Sequence, residues 1–218
     1  MSLLISSGRF ALSPHLQGTD GWRADRAGKV TGSRAECVSA GGKGITRRKY
    51  MVQLVAERLS GIPQDSGYQS AAMLAGQALE PEARAAYEAE TGELVRQAGF
   101  AYLPILAGCS VDGFVGDAGI QEIKCPEPHV HVEYLERMRF PPEYVPQGTH
   151  NLWVTGAEWI DFVSYCPSMP SGLELVIVRA HRNEFDITAH EEAVLRFLAE
   201  TEAMELRLRA KVSMRVAA

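Results

Sequence analysis

The stretch Cys109-Ser110-Val111-Asp112-Gly113-Phe114-Val115-Gly116-Asp117-Ala118-Gly119-Ile120-Gln121-Glu122-Ile123-Lys124-Cys125-Pro126 decides how the chain is read. Phe114-Val115 and residues 120–125 have strand composition, and Gly116-Asp117-Ala118-Gly119 supplies the small and polar residues of a short connection, which predicts a β-hairpin. Folding about that turn brings Asp112 opposite Glu122, with side chains roughly 5 Å apart. The period of two along a strand puts Lys124 on the same face as Glu122. Two carboxylates and a lysine converge.

Like charges facing each other across a ladder are destabilising, so a fold that keeps this pair is expected to compensate it with a cation. All-oxygen ligands suit Mg²⁺, with Mn²⁺ as substitute, better than zinc, and Lys124 is placed to polarise a water there. A solvated hairpin face with an ordinary Glu/Lys pair is the competing reading, because a short Asp-x(9)-Glu-x-Lys pattern also arises by chance.

At 218 residues, with 46% hydrophobic and 22% charged residues, the chain fits one globular domain, residues 1–218, with an irregular lead-in over residues 1–16. The formal net charge of −5 argues against a protein that coats nucleic acid through its whole surface, so any nucleic-acid contact is expected to be local. The four cysteines, Cys37, Cys109, Cys125 and Cys166, form no C-x-x-C pair, which signals neither a zinc ribbon nor a clustered iron–sulfur site and fits a reduced cytosolic protein. The first ten residues hold too short an apolar run for a signal peptide, and no membrane span is expected.

Outward from the hairpin, a short helix is expected over residues 22–26, followed by a glycine-broken turn in which Thr31 or Ser33 caps the next helix. Hydroxyls at a helix N-terminus beside Arg26 suit an anion, and a plain capped turn is the simpler alternative. Residues 41–45 read as a mobile loop before a helix capped by Thr46 that stops near Gly61, with Met51, Leu54, Val55 and Leu59 inward. Residues 66–90 read helical, with a kink or a new segment at Pro81, which singles out Glu80 as a carboxylate at a disturbed turn aimed into a site, with a surface Glu in a helical Glu82/Arg84-type charge pattern as the simpler alternative. A strand is expected over residues 100–107. After Pro126 come a helix over residues 130–138 with Tyr134 and Met138 inward, a break at Pro141-Pro142, and a helix over residues 143–154 carrying Gln147. Strands over residues 159–165 and 173–179 and a long helix capped near Thr188 complete the pattern.

Four blocks in this order resemble one family. They are Gly18-Thr-Asp-Gly-Trp22-x(3)-Arg26-x-Gly28-x-Val-Thr31-Gly-Ser33, Gly76-x(3)-Glu80-Pro81-x-Ala83-Arg84, Ser110-Val-Asp112-Gly-x(8)-Glu122-Ile-Lys124-Cys-Pro126, and Tyr144-x-x-Gln147-x(4)-Leu152-Trp-Val-Thr-Gly156. Together they are similar to the λ-exonuclease-type, or YqaJ-like, viral recombination nucleases of the PD-(D/E)xK superfamily. The resemblance implies a restriction-endonuclease-like α/β fold, a mixed sheet flanked by helices. It implies that Asp112, Glu122, the Ile123 carbonyl and Glu80 hold Mg²⁺, that Lys124 positions the attacking water with Gln147 as its partner, and that Arg26, Thr31 and Ser33 receive a 5′-terminal phosphate. Two positions depart from the pattern: Val111 stands where the superfamily has proline, and Thr149 where the fourth block has a second glutamine.

The function implied is a metal-dependent deoxyribonuclease of the alkaline exonuclease type. It would degrade one strand of linear double-stranded DNA from the 5′ end, release 5′-mononucleotides, and leave a 3′ overhang for a single-strand annealing protein. A homotrimeric ring threading DNA, phage- or prophage-encoded and cytoplasmic in a bacterial host, completes what the resemblance implies. The rival readings are a restriction-like endonuclease or helicase-associated nuclease, and an inactive DNA-end-binding protein.

Overall fold

A computed structural model describes residues 10–39, 44–64 and 70–216. In chain order these form β1 (Ala11–Leu12), α1 (Asp20–Arg26), β2 (Val30–Thr31), α2 (Ala35–Ser39), α3 (Ile45–Ser60), α4 (Ala71–Thr91), β3 (Val95–Arg96), β4 (Ala101–Leu103), β5 (Ala107–Cys109), β6 (Gly113–Val115), β7 (Gly119–Lys124), α5 (Pro128–Arg137), α6 (Val145–Thr155), β8 (Trp159–Tyr165), β9 (Leu175–His181) and α7 (Ile187–Val216). The strands make two mixed sheets, β3-β6-β7-β8-β9 and β1-β4-β5-β2.

The expected hairpin is the centre of the larger sheet. β6 and β7 pair antiparallel with Gly113 opposite Gln121 and Val115 opposite Gly119, and β7 continues in parallel with β8. Glycine is required at 119, where an added Cβ would stand 2.1 Å from the Trp159 ring. Alternation along the strands sends side chains to two layers. Ile120 and Ile160 join a core with Leu54, Trp153, Val194 and Phe197, while Ile123, Val163 and Tyr165 pack with Ala83 and Tyr87 of α4. Helices therefore cover both faces, and Asp112, Glu122 and Lys124 lie at the end of the sheet where β6 stops short and β7 runs on.

Several local expectations are corrected. Residues 100–107 are a second hairpin, β4 and β5 joined through Leu106 at φ 62, and its strands belong to the smaller sheet together with Ala11–Leu12 from the stretch expected to be irregular. Thr31 takes the N-cap position of a 3-10 turn, Gly32–Arg34, without a side-chain cap bond. α3 starts from Gly44 rather than Thr46, ends at Gly61 in the left-handed region (φ 69), and leaves Leu59 exposed. The loop expected over residues 41–45 and the helix start at residue 66 fall largely outside the described residues. α4 is capped by Ser70 and runs on through Pro81. The missing N–H there costs one bond, but burial of Ala83 and Tyr87 and the bonds Tyr87 Oη to Asp161 (2.6 Å) and Tyr165 Oη to Glu82 (2.6 Å) hold the following turns in place. Met138 points outward as the left-handed cap of α5. α7 is opened by Asp186, whose carboxylate accepts from Ala189 N, rather than by Thr188. Among the described residues no helix is long and apolar enough to cross a membrane.

Candidate active site

β6 and β7 place the carboxylates. Extending the register by one step sets Asp112 opposite Glu122, and the Asp112 side chain closes the end of the ladder by accepting from Ile123 N at 2.7 Å. A strand residue's N–H and C=O point to the same side, so the Ile123 carbonyl also faces the Asp112 side of β7. Burial, and then the nearby Glu122 charge, push the Asp112 carboxyl well above the usual aspartate range. Lys124 Nζ donates to Glu122 Oε1 at 2.6 Å and lies 5.0 Å from the Tyr144 ring centroid. Burial alone would weaken its proton affinity, but Glu122 and Asp112 outweigh that and keep Lys124 above the ordinary lysine value. It is a cation at neutral pH.

α6 and α4 complete the cluster from the two faces. Gln147 Nε2 donates to Glu122 Oε1 at 2.5 Å, which ties this face of α6 to the carboxylates. One turn on, Asn151 Nδ2 donates to Glu122 Oε2 at 3.1 Å, a contact that sequence reading missed although the i, i+4 spacing from Gln147 was there to see. Thr149 contributes nothing to this clamp, because its hydroxyl bonds back to Val145 O at 2.6 Å. Glu80, half-buried on α4, is pushed up by burial and pulled back by Arg84 and Lys124, with Glu122 raising it again. Its electrostatic coupling to both Lys124 and Glu122 puts it beside the cluster.

A second constellation adjoins the first. Ser110 Oγ accepts from Trp22 Nε1 at 2.9 Å and from Arg26 Nη1 at 3.2 Å, while Arg26 Nη2 reaches Ser33 Oγ at 3.4 Å and Thr31 Oγ1 stands 3.5 Å from Ser33 Oγ. The guanidinium lies 4.1 Å from the Trp22 ring centroid, a cation–π contact that helps hold its plane. Arg26, Thr31 and Ser33 are therefore brought together, and Ser110, which sequence reading left out, joins them to Asp112 two residues away. Long-range contacts set this loop: Glu57, buried on α3, accepts from Gly28 N at 2.7 Å, Arg58 Nε donates to Gly28 O at 2.8 Å, and Tyr50 Oη accepts from Thr31 N at 3.1 Å.

The donor set fits a hard divalent cation. Asp112 held above its normal pKa beside Glu122 and Glu80 marks an excess of buried negative charge that an ion would relieve. Among the described residues no three His, Cys, Asp or Glu side chains stand close enough to hold a metal by themselves. Ligation would draw on the Ile123 carbonyl, water and substrate oxygens, as Mg²⁺ sites commonly do.

A family model for the YqaJ-like viral recombinase domain matches residues 21–158, a span that holds every residue of the two clusters. Among solved structures, the chain is 39% identical to an alkaline exonuclease (LHK-Exo) from Laribacter hongkongensis, with a TM-score of 0.82, over 90% of this chain and 99% of that one. The same figures hold for that exonuclease in complex with dAMP. A phage-related exonuclease from Haemophilus somnus 129PT shares the fold at a TM-score of 0.61 and 13% identity, over 84% of this chain and 96% of that one. No curated protein matches.

Proposed function

The chain belongs to the YqaJ-like viral recombinase domain family, and on that premise we propose that it is a Mg²⁺-dependent 5′→3′ exonuclease that digests one strand of linear duplex DNA to leave a 3′ overhang. The observation that carries the reading is the adjacency of two unlike clusters. Asp112, Glu122, Lys124 and Gln147 form an acidic cluster with one cation, and Arg26, Thr31, Ser33 and Ser110 form a polar, cationic one that starts two residues upstream of Asp112 in the link between β5 and β6. Two residues of chain span at most about 7 Å. A terminal phosphate gripped at the second cluster leaves the first phosphodiester of that strand facing the carboxylates. The alkaline exonuclease that is 39% identical, and its solved complex with dAMP, a nucleoside monophosphate, support this assignment.

Asp112, Glu122 and the Ile123 carbonyl would hold Mg²⁺, or Mn²⁺ in its place, with Glu80 completing the site through a water. When bound, the ion supplies charge stabilisation to the attacking and leaving oxygens of phosphodiester hydrolysis. Lys124, kept protonated by its two carboxylates, orients and polarises a water toward the phosphorus, and Gln147 fixes the Glu122 oxygen to which Lys124 is tethered. Arg26 neutralises the terminal phosphate, which carries more charge than an internal diester. The overhang would serve a single-strand annealing protein in the cytoplasm of a bacterial host. A ring of three chains, of native mass near three times 23.8 kDa, would gather the few basic residues of an acidic chain around DNA. Linear and closed circular duplex, each incubated with Mg²⁺, test the assignment: an exonuclease releases mononucleotides from the first only, a restriction-like endonuclease nicks the second, and an end-binding protein cuts neither.

A further inference from the structure

We infer that Asn151 is a positioning residue which locks the Glu122 carboxylate in place, in the space that glycine at position 32 leaves open for it. The inference rests on the reading that Glu122 is a divalent-cation ligand. α6 presents two amides one turn apart, and each takes a different oxygen of Glu122: Gln147 takes Oε1 and Asn151 takes Oε2. The carboxylate is thereby fixed in rotation, which a single donor would not achieve. Asn151 is 1% exposed, and its Oδ1 has no hydrogen-bond partner among the described residues. An orphaned buried carbonyl is costly, so an apolar side chain would pack there at lower cost were the Nδ2 contact with Glu122 not required. Rotating the amide by half a turn would point Oδ1 at the carboxylate, and the orientation seen depends on the space beside residue 32: a Cβ on Gly32 would stand 2.3 Å from Asn151 Oδ1. The nearest atom outside Asn151, Cys109 Cβ, is 3.7 Å from that point, an ordinary contact. Glycine at 32 is therefore needed by Asn151 and by nothing else close to it.

The test is Mn²⁺ affinity of the full-length protein, measured by titration calorimetry without DNA, together with the melting temperature of the metal-free protein as a check on folding. Asn151→Ala is expected to bind Mn²⁺ about 10- to 100-fold more weakly than wild type, the range for removal of a group that orients a metal ligand. Gly32→Ala touches no ligand, yet is expected to weaken binding in the wild-type background by displacing Asn151. In the Asn151→Ala background the same substitution is expected to cost nothing further, because the atom it strikes is gone. The inference is overturned if Asn151→Ala binds within about twofold of wild type, or if Gly32→Ala costs the same factor in both backgrounds. Should Asn151→Ala not fold, Gly32→Ala alone decides, since unaltered Mn²⁺ affinity there would sink the lock. Absence of Mn²⁺ binding in wild type removes the premise that Glu122 is a ligand, and the inference falls with it.

Discussion

Gln147 Nε2 donates to Glu122 Oε1 at 2.5 Å, and the same oxygen accepts from Lys124 Nζ at 2.6 Å. One carboxylate oxygen is thus shared by a neutral donor and a charged one, which separates their roles. Gln147→Ala removes a restraint but no charge, and is expected to lower kcat by roughly tenfold with a similar rise in the Mg²⁺ concentration needed for half-maximal rate. Lys124→Ala removes the cation that polarises water, and is expected to lower kcat by about a hundredfold or more while moving the Mg²⁺ requirement far less. Metal titrations of the steady-state rate check both. Equal effects of Lys124→Ala on kcat and on metal requirement would assign the lysine to metal binding instead.

Arg26 is stacked on Trp22 and bonded to Ser110 and Ser33, so its fork is already oriented for a phosphate. Charge-assisted bonds from a planar guanidinium are about twice as strong as neutral ones, and losing one costs roughly 1.5–3 kcal/mol. Arg26→Ala should therefore slow digestion of 5′-phosphorylated ends about tenfold to a hundredfold, and hydroxyl ends much less. Arg26→Lys, which keeps the charge but loses the fork, should fall between them. Initial rates on the two kinds of end give the answer, and an equal slowing on both would take Arg26 out of end recognition.

A buried histidine pair predicts the acid limit of the fold. His150 Nε2 donates to Gly108 O at 3.0 Å, which leaves His150 Nδ1 to accept from His190 Nε2 at 3.0 Å, with Trp153 packed against both rings. Burial, then the neighbouring His190, pushes His150 down to about 3, and burial pushes His190 down to about 4 although Glu191 pulls the other way. Both values lie below the 6.5 of a free imidazole, so the unfolded chain binds more protons than the folded one in this window. The stabilisation is complete above about pH 6.5 and is lost as pH falls toward 4 and then 3, by about 3 kcal/mol per pH unit while both rings stay neutral in the folded chain. Urea denaturation at neutral and mildly acidic pH should show this loss. His150→Gln should flatten it, and an unchanged pH slope in that variant would place the acid sensitivity elsewhere.

The larger sheet was legible because its central hairpin is local. Strand composition, a four-residue turn and the period of two together predict which face Glu122 and Lys124 share, and no distant contact is needed. The smaller sheet was not legible, since its strands are two or three residues long and β1 and β2 find their partners only in β4 and β5. Pro81 misleads for the same reason: packing of Tyr87 and Ala83 overrides a local penalty. Arg26, Thr31 and Ser33 could be named, but the device that shapes their loop could not. Glu57 and Arg58 hold Gly28 from about thirty residues away. Ser110 and Asn151 were given no role because a serine before an aspartate, and an asparagine one turn from Gln147, show what they bind only once the carboxylates and the Arg26 loop are seen in space.

The central claim is that the two clusters act together on a DNA end, and end-labelled linear duplex tests it most directly. One substrate carries its label on the 5′-terminal nucleotide, a second on the 3′-terminal nucleotide of the same strand, and each is followed with Mg²⁺ and with chelator. The account predicts prompt release of the 5′ label as a mononucleotide, late release of the 3′ label, no release with chelator, and none from a folded Asp112→Asn variant. Prompt release of the 3′ label, labelled oligonucleotides of internal cuts, or full activity of Asp112→Asn would contradict it.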